Sequence, residues 1–498
     1  MLKVWIRVLV GVFLVTETFS HVRSDTRPNI LFIAVDDLND WIGCLGGHPQ
    51  AITPNFDRLA KRGVLFTNAH CVAPACRPSR TAIFTGKAPQ QTGAWSNDSQ
   101  DVIKDQPKGS LMPHYFADHG YATFGTGKLF HGGGGENFQH TFKTEQRWSP
   151  FTGKQASYTP EELPTKGTDQ PRHVIEKGPG GHDYVLPLNG LRSERNPKKA
   201  SAESFDWGPF DVEDDEMGDT RIANWALEQL GKSHEQPFFL GVGFYRPHIP
   251  LFAPRLDFEV YPSVRDIQLP RVLTGDLGDL GESAKRWALE PITAGSHQIV
   301  EASGQWRQAV RAYLACVTFV DRQLGRLLDG LDQSVHAENT WIVLWGDHGW
   351  HLGEKQHWGK WTGWRESTRV PLMIIPPESD AEALRGKECA EPVSLLDLYP
   401  TLVELSELPE KTDLEGTSLL PWMRHPKLQT GRYVRTMFNP GNVAISERDW
   451  RYIRYADGAE ELYHIAEDPY EWHNHASSEE HAPVLDRFRN RWTSSDLN

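Results

Sequence analysis

Three segments of this chain are too continuously apolar to lie half in water, and they limit its architecture more than any other feature. Asn29 to Val35 reads NILFIAV, Pro237 to Phe244 reads PFFLGVGF and Thr340 to Trp345 reads TWIVLW. A strand with one wet face alternates apolar and polar residues. A run without alternation is buried on both faces, as in a parallel sheet covered by helices. Asp36-Asp37 follows the first run, and Gly346-Asp347-His348 follows the third. Helical patterns recur between the runs. Thr53 to Gly63 has a capped start and a glycine stop, and Thr220 to Leu230 reads as a helix. Ser79 to Thr85 is expected to open a helix after Pro78, and Arg307 to Leu331 keeps helical apolar spacing for about six turns. Short strands are expected at Val64 to Thr67 and at Tyr121 to Phe124. Strand–helix alternation with polar residues just past the strand ends predicts an open α/β sheet with a site at its carboxyl edge.

The chain has 498 residues, which predicts one large domain and a smaller one. Residues 1–24 read as a secretory signal peptide: Lys3 and Arg7, an apolar run from Val8 to Val15, then Thr18-Phe19-Ser20 as a cleavage site. The run is far shorter than the ~20 residues of a membrane span, so a secreted or periplasmic protein without stable membrane insertion is expected. Residues 25–425 are assigned to the main domain, with 131 to 220 as long loops over one face of the sheet. The pattern changes after Leu420-Pro421. Residues 426–498 are expected to form a small α+β domain, with antiparallel strands in Ala444 to Tyr455 and Glu461 to Ile465 and a helix near His481 to Trp492. The formal charge is −14, with acidic residues spread along the chain. Nucleic acid needs a basic footprint and is excluded as a partner, whereas an anionic small substrate needs only a few cations in a pocket. The five cysteines, Cys44, Cys71, Cys76, Cys316 and Cys389, are too few and odd in number for the disulfide framework of an exported chain. One is left for chemistry.

Cys76-Arg77-Pro78-Ser79-Arg80, followed by Thr81 to Thr85 and Gly86, resembles the signature of the type I, formylglycine-dependent sulfatases. The resemblance implies an alkaline-phosphatase-like sulfatase fold: a large mixed sheet flanked by helices, plus a small C-terminal domain with an antiparallel sheet. It implies that a formylglycine-generating enzyme oxidises Cys76 to Cα-formylglycine. It also makes Asp36, Asp37, Asp347 and His348, with an oxygen of the modified Cys76, the shell of one calcium ion. Hard oxygen ligands suit Ca²⁺ or Mg²⁺. His348 stands where many relatives carry Asn, and an imidazole is a softer ligand.

Sulfuryl transfer builds negative charge on the departing alkoxide, so the site needs preorganised cations sheltered from water. Lys128 and His131 in GKLFH, His248 in RPHIP and Lys360 in HWGK resemble the family's sulfate-contacting residues, and Arg80 would brace the modified Cys76. The implied mechanism has one hydroxyl of hydrated formylglycine attack sulfur, Lys360 or His248 protonate the leaving oxygen, and His131 deprotonate the second hydroxyl to expel sulfate. Within the family, VDDLND from Val35, GCLGGHP from Gly43, the GKLFH and RPHIP segments and DHGWHLGE from Asp347 look like iduronate-2-sulfatases. The implied substrate is a sulfated carbohydrate with a 2-O-sulfated uronic acid. Arg172, Arg192, Arg195, Lys198 and Lys199 lie in the 131–220 loops within the compass of a uronate carboxylate, but solvated loop charge is the readier reading. The alternatives are a sulfatase of other carbohydrate or aryl specificity, a phosphonate or phosphate monoester hydrolase of the same superfamily, and a sulfated-glycan-binding protein.

Overall fold

The computed structural model describes residues 27–492, apart from 108, 133–134, 145, 148–174, 178–182, 186–188, 192–193, 196–204, 292–294 and 379–380. The expected signal peptide and much of the 131–220 stretch lie outside the described residues.

Eight strands form the central sheet, in the order Lys387–Cys389, Val64–Phe66, Leu372–Ile375, Thr340–Gly346, Asn29–Val35, Phe238–Phe244, Ala122–Gly127 and His140–Phe142. Leu372–Ile375 is antiparallel to both of its neighbours, and the other pairs are parallel. The three apolar runs are the adjacent central strands. Successive side chains on a strand point to opposite faces, and here both faces are covered. Leu31, Ile33 and Val35 enter one core with the helices Gly218–Leu230 and Trp306–Asp332. Ile30, Phe32 and Ala34 enter the other with the helices Cys76–Thr85 and Leu398–Leu405. Each large aliphatic residue so buried contributes about 1.5–3 kcal/mol, so these runs could not be moved to a surface.

The helix expected to start at Ser79 begins three residues earlier, at Cys76. Pro78 is tolerated there because N–H groups in a first turn have no helical acceptor. The first bond of the helix closes from Ser79 N to Ala75 O at 3.0 Å. The earlier start places Cys76 itself at the helix N-terminus.

The C-terminal part is a four-stranded antiparallel sheet of Val434–Met437, Val443–Ser446, Trp450–Arg454 and Glu460–His464. Its first strand was not among the sequence expectations. One face packs Tyr452 and Leu462 against Leu485 and Phe488 of the Ala482–Arg491 helix. The other packs Ile453 and Tyr463 against Trp364, Leu280 and Ala284 of the main body. Among the described residues no helix is long and apolar enough to cross a membrane, and all five cysteines are free thiols.

Candidate active site

Three strands end at one level, because Val35 is in register with both Gly346 and Phe244. The ladder continues one residue further. Asp36 N–H donates to Phe244 O at 3.3 Å, Asp347 N–H to Val35 O at 3.4 Å and Lys128 N–H to Gly243 O at 2.8 Å. Asp36, Asp347 and Lys128 therefore converge in one crevice. The approach of Lys128 requires glycine twice. Gly127 has φ +71°, and a Cβ there would lie 1.9 Å from Gly243 O; a Cβ on Gly243 would lie 2.3 Å from the Lys128 carbonyl carbon. Asp37 leaves the strand at φ +60°. Its carbonyl accepts from the Tyr313 hydroxyl at 2.8 Å, and its N–H donates to Asp347 Oδ1 at 3.1 Å.

Cys76 is fully buried. Its sulfur lies 3.0 Å from Lys360 Nζ, 3.3 Å from His348 Nε2, 3.6 Å from Lys128 Nζ and 3.8 Å from Asp37 Oδ1. Burial raises the thiol pKa, but Lys128, Lys360, His348 and His131 outweigh it and hold the pKa well below its ordinary value. One turn along the same helix, Arg80 reaches beneath the crevice. Its Nε donates to Asp347 Oδ2 at 2.7 Å, its Nη2 to Asp36 Oδ1 at 3.2 Å and its Nη1 to the carbonyls of Lys128 and Leu129. The Ser79 hydroxyl donates to Asp347 O at 2.6 Å. Lys128 pairs with Asp36, and Lys360 Nζ lies 2.8 Å from Asp37 Oδ1.

Buried charges persist only when paired, and here the pairing decides the protonation states. Burial and Cys76 raise the pKa of Asp36, yet Lys128, His248 and Arg80 outweigh them and keep it below the usual carboxylate range. Burial pushes Asp347 up to about 6 against Arg80 and His348. Burial and Lys360 lower His348, but Asp347 and Cys76 together outweigh them and carry the ring up to about 9. His348 Nδ1 lies 3.0 Å from Gly349 O. A carbonyl only accepts, so Nδ1 carries a hydrogen, and in the neutral ring Nε2 faces the crevice as a lone-pair donor. His131 hydrogen-bonds Cys76, and burial lowers its pKa. His248 sits at the rim, its side chain 13% exposed and its Nε2 3.9 Å from Asp37 Oδ2.

The donor set fits a divalent cation. Donor atoms of Asp36, Cys76, Asp347 and His348 lie within 4.8 Å of one another, as do those of Asp36, Asp37, Cys76 and His248. Asp37 Oδ2 is buried without a hydrogen-bond partner among the described residues. A buried orphan of this kind is costly unless a bound group satisfies it, and carboxylate oxygens are the donors that hard cations prefer.

All the residues singled out from the sequence for chemistry thus share one crevice. The structure adds others. Asp219 accepts from Tyr245 N at 2.8 Å and Arg246 N at 2.9 Å, fixing the turn that carries His248. Burial pushes its carboxyl up to about 6. Its only sequence signal was an acidic residue just before an expected helix. Tyr313, on the long helix, braces Asp37 and was legible only as a core position. Of the loop cations, Arg195 pairs with Asp98 at 3.7 Å, while Arg172, Arg192, Lys198 and Lys199 lie outside the described residues.

The profile of the family described as Sulfatase matches residues 28–408, and that of the N-sulphoglucosamine sulphohydrolase C-terminal domain matches residues 353–496. The chain is 38% identical over 470 residues to a sulfatase of Formosa agariphila, covering 93% of this chain and 86% of that protein. It is 29% identical to human iduronate 2-sulfatase, over 87% of this chain and 80% of that one. Among solved structures, the phosphonate monoester hydrolase of Agrobacterium radiobacter superposes with a TM-score of 0.70 at 20% identity, covering 93% of this chain and 94% of that one. With this profile over most of its length, the chain belongs to the sulfatase family and has its alkaline-phosphatase-like fold.

Proposed function

We propose that this protein hydrolyses sulfate esters through a formylglycine made from Cys76 and one calcium ion held by Asp36, Asp37, Asp347, His348 and residue 76. Its proposed substrates are 2-O-sulfated uronic acids of sulfated polysaccharides. The observation that carries this reading is the convergence of Lys128, Lys360, His131 and His348 on the buried Cys76 sulfur, above carboxylates with an orphaned oxygen. In its hydrated form the aldehyde supplies one hydroxyl for attack on sulfur and a second that drives sulfate out, while the cation neutralises charge.

The chain's own residues account for the rest. Lys128 and Lys360 neutralise the carboxylates that would hold the cation, and turn to the sulfate oxygens once those carboxylates are otherwise occupied. Burial lowers the pKa of both lysines, but Asp36 for Lys128, Asp37 for Lys360 and Cys76 for both raise it, so both stay charged. Lys360 or His248 gives a proton to the leaving alcohol oxygen, and His131, held neutral, accepts one at residue 76. Arg80 locks Asp36 and Asp347 in place. The uronide preference rests on the likeness to iduronate 2-sulfatase, and extracytoplasmic action on the expected signal peptide. The phosphonate monoester hydrolase fold likeness supplies the competing reading.

Protein matured with a formylglycine-generating enzyme and loaded with calcium should release sulfate from an aryl sulfate and from 2-O-sulfated uronides. Lys360→Ala should lose about 10²–10³ in kcat. Phosphonate monoester turnover exceeding that of every sulfate ester would replace this reading with the competing one.

A further inference from the structure

Arg77 follows the nucleophile position directly but takes no part in the charge network beneath it. Its backbone N–H donates to Asn97 Oδ1 at 2.9 Å and its Nε to Asn97 O at 2.9 Å. The first ties the backbone to the 97–101 loop, and the second orients the guanidinium. Nη1 lies 3.6 Å from Asp101 Oδ1, the two side chains 16% and 27% exposed. Nη2 has no acceptor among the described residues and lies 3.8 Å from where a Cβ on Gly132 would stand. Gly132 follows His131, whose ring feels the Arg77 charge. On the far side of the 97–101 loop, Arg195 pairs with the exposed Asp98 at 3.7 Å. A positioned, partly exposed guanidinium edge thus stands beside Gly132, the residue that follows His131.

The deeper cations are committed. Arg80, Lys128 and Lys360 each pair with Asp36, Asp37 or Asp347; Arg80 holds the carboxylates, and the two lysines serve the sulfate being cleaved. A second anion on the same sugar ring requires a cation of its own. A guanidinium with free N–H groups is the donor best shaped for a carboxylate or a sulfate.

We propose that Arg77 determines specificity by binding a second anionic substituent of the sulfated sugar, a uronate carboxylate or a further sulfate ester. This assignment rests on the sulfatase reading. The test measures kcat/KM of wild type, Arg77→Gln, Arg77→Lys and Asp101→Asn on three substrates: an aryl sulfate without other charge, a 2-O-sulfated uronide and a sugar disulfate lacking a carboxylate. In Arg77→Gln the ratio of an anionic sugar to the aryl sulfate should fall about 10- to 100-fold, mainly through KM, with Arg77→Lys recovering part of it. A fall confined to the uronide identifies the carboxylate, and one confined to the disulfate identifies the second sulfate. Asp101→Asn removes a competing carboxylate and should lower KM for the anionic sugar, whereas a purely structural clasp would lose activity there. Equal losses on all three substrates, or no loss, overturn the Arg77 assignment alone. A wild-type enzyme inactive on all three overturns the sulfatase reading with it.

Discussion

Asp219 illustrates how a single buried carboxylate can shape a site that it does not enter. It is 3% exposed and accepts two backbone N–H bonds from the turn that carries His248. Asp219→Ala would leave both donors buried without acceptors, a cost of about 2–4 kcal/mol. The freed turn should also let His248 drift and lower kcat about tenfold. Urea unfolding and steady-state kinetics check both effects; an unchanged unfolding midpoint would show that the turn holds itself. At this scale the sequence was most informative where chemistry dictates residue type. Asp36, Asp37 and Asp347 stood out because carboxylates gathered just past buried strands have few structural uses, whereas Cys76, Lys128 and Lys360 stood out through the resemblance of CRPSR, GKLFH and HWGK to the sulfatase pattern. Asp219 and Tyr313 did not, because a supporting partner is defined by the contact it makes and not by its own pattern.

At the scale of elements, the continuous apolar runs were legible because burial on both faces leaves no freedom of placement. The start of the Cys76–Thr85 helix was misplaced because proline was read as a boundary, although it is accommodated within a first turn. The strand Val434–Met437 was missed: it is four residues long and its pairing with Val443–Ser446 is set by tertiary contact. That sheet is joined to the 363–368 segment that follows Lys360 by Arg451, which is fully buried and also donates from Nη2 to Gly363 O. Its Nε lies 2.7 Å from Glu471 Oε1 and its Nη1 donates to Thr368 Oγ1 at 2.8 Å. Removing one partner of a buried pair strands the other charge. Arg451→Met should therefore destabilise the protein by about 3–5 kcal/mol, with loss of activity on the same denaturant curve. Separate transitions for activity and for the C-terminal sheet would show that the two parts are uncoupled.

The whole molecule carries its own pH signature through buried imidazoles. His297 is 5% exposed, its ring 4.4 Å from that of Trp306. Burial, aided by His357, lowers its pKa to about 4. Unfolded, it would titrate near 6.5. Above pH 6.5 the ring is neutral in both states and contributes no pH dependence. Between 6.5 and 4 the unfolded state binds more protons, so stability falls as pH falls. The wild-type stability relative to His297→Gln should be flat above pH 6.5 and decline by up to about 1.4 kcal/mol per pH unit below it. A difference that stays flat to pH 5 would place a charged ring in the fold.

The sheet, the helices and the crevice all converge on residue 76, so the modification of that residue is the central claim. The direct measurement is mass spectrometry of the proteolytic fragment containing Cys76, from protein made alongside a formylglycine-generating enzyme. Conversion of thiol to aldehyde should appear as a loss of about 18 Da at residue 76. An unmodified thiol there, with a control sulfatase converted in the same cells, would contradict the proposed mechanism.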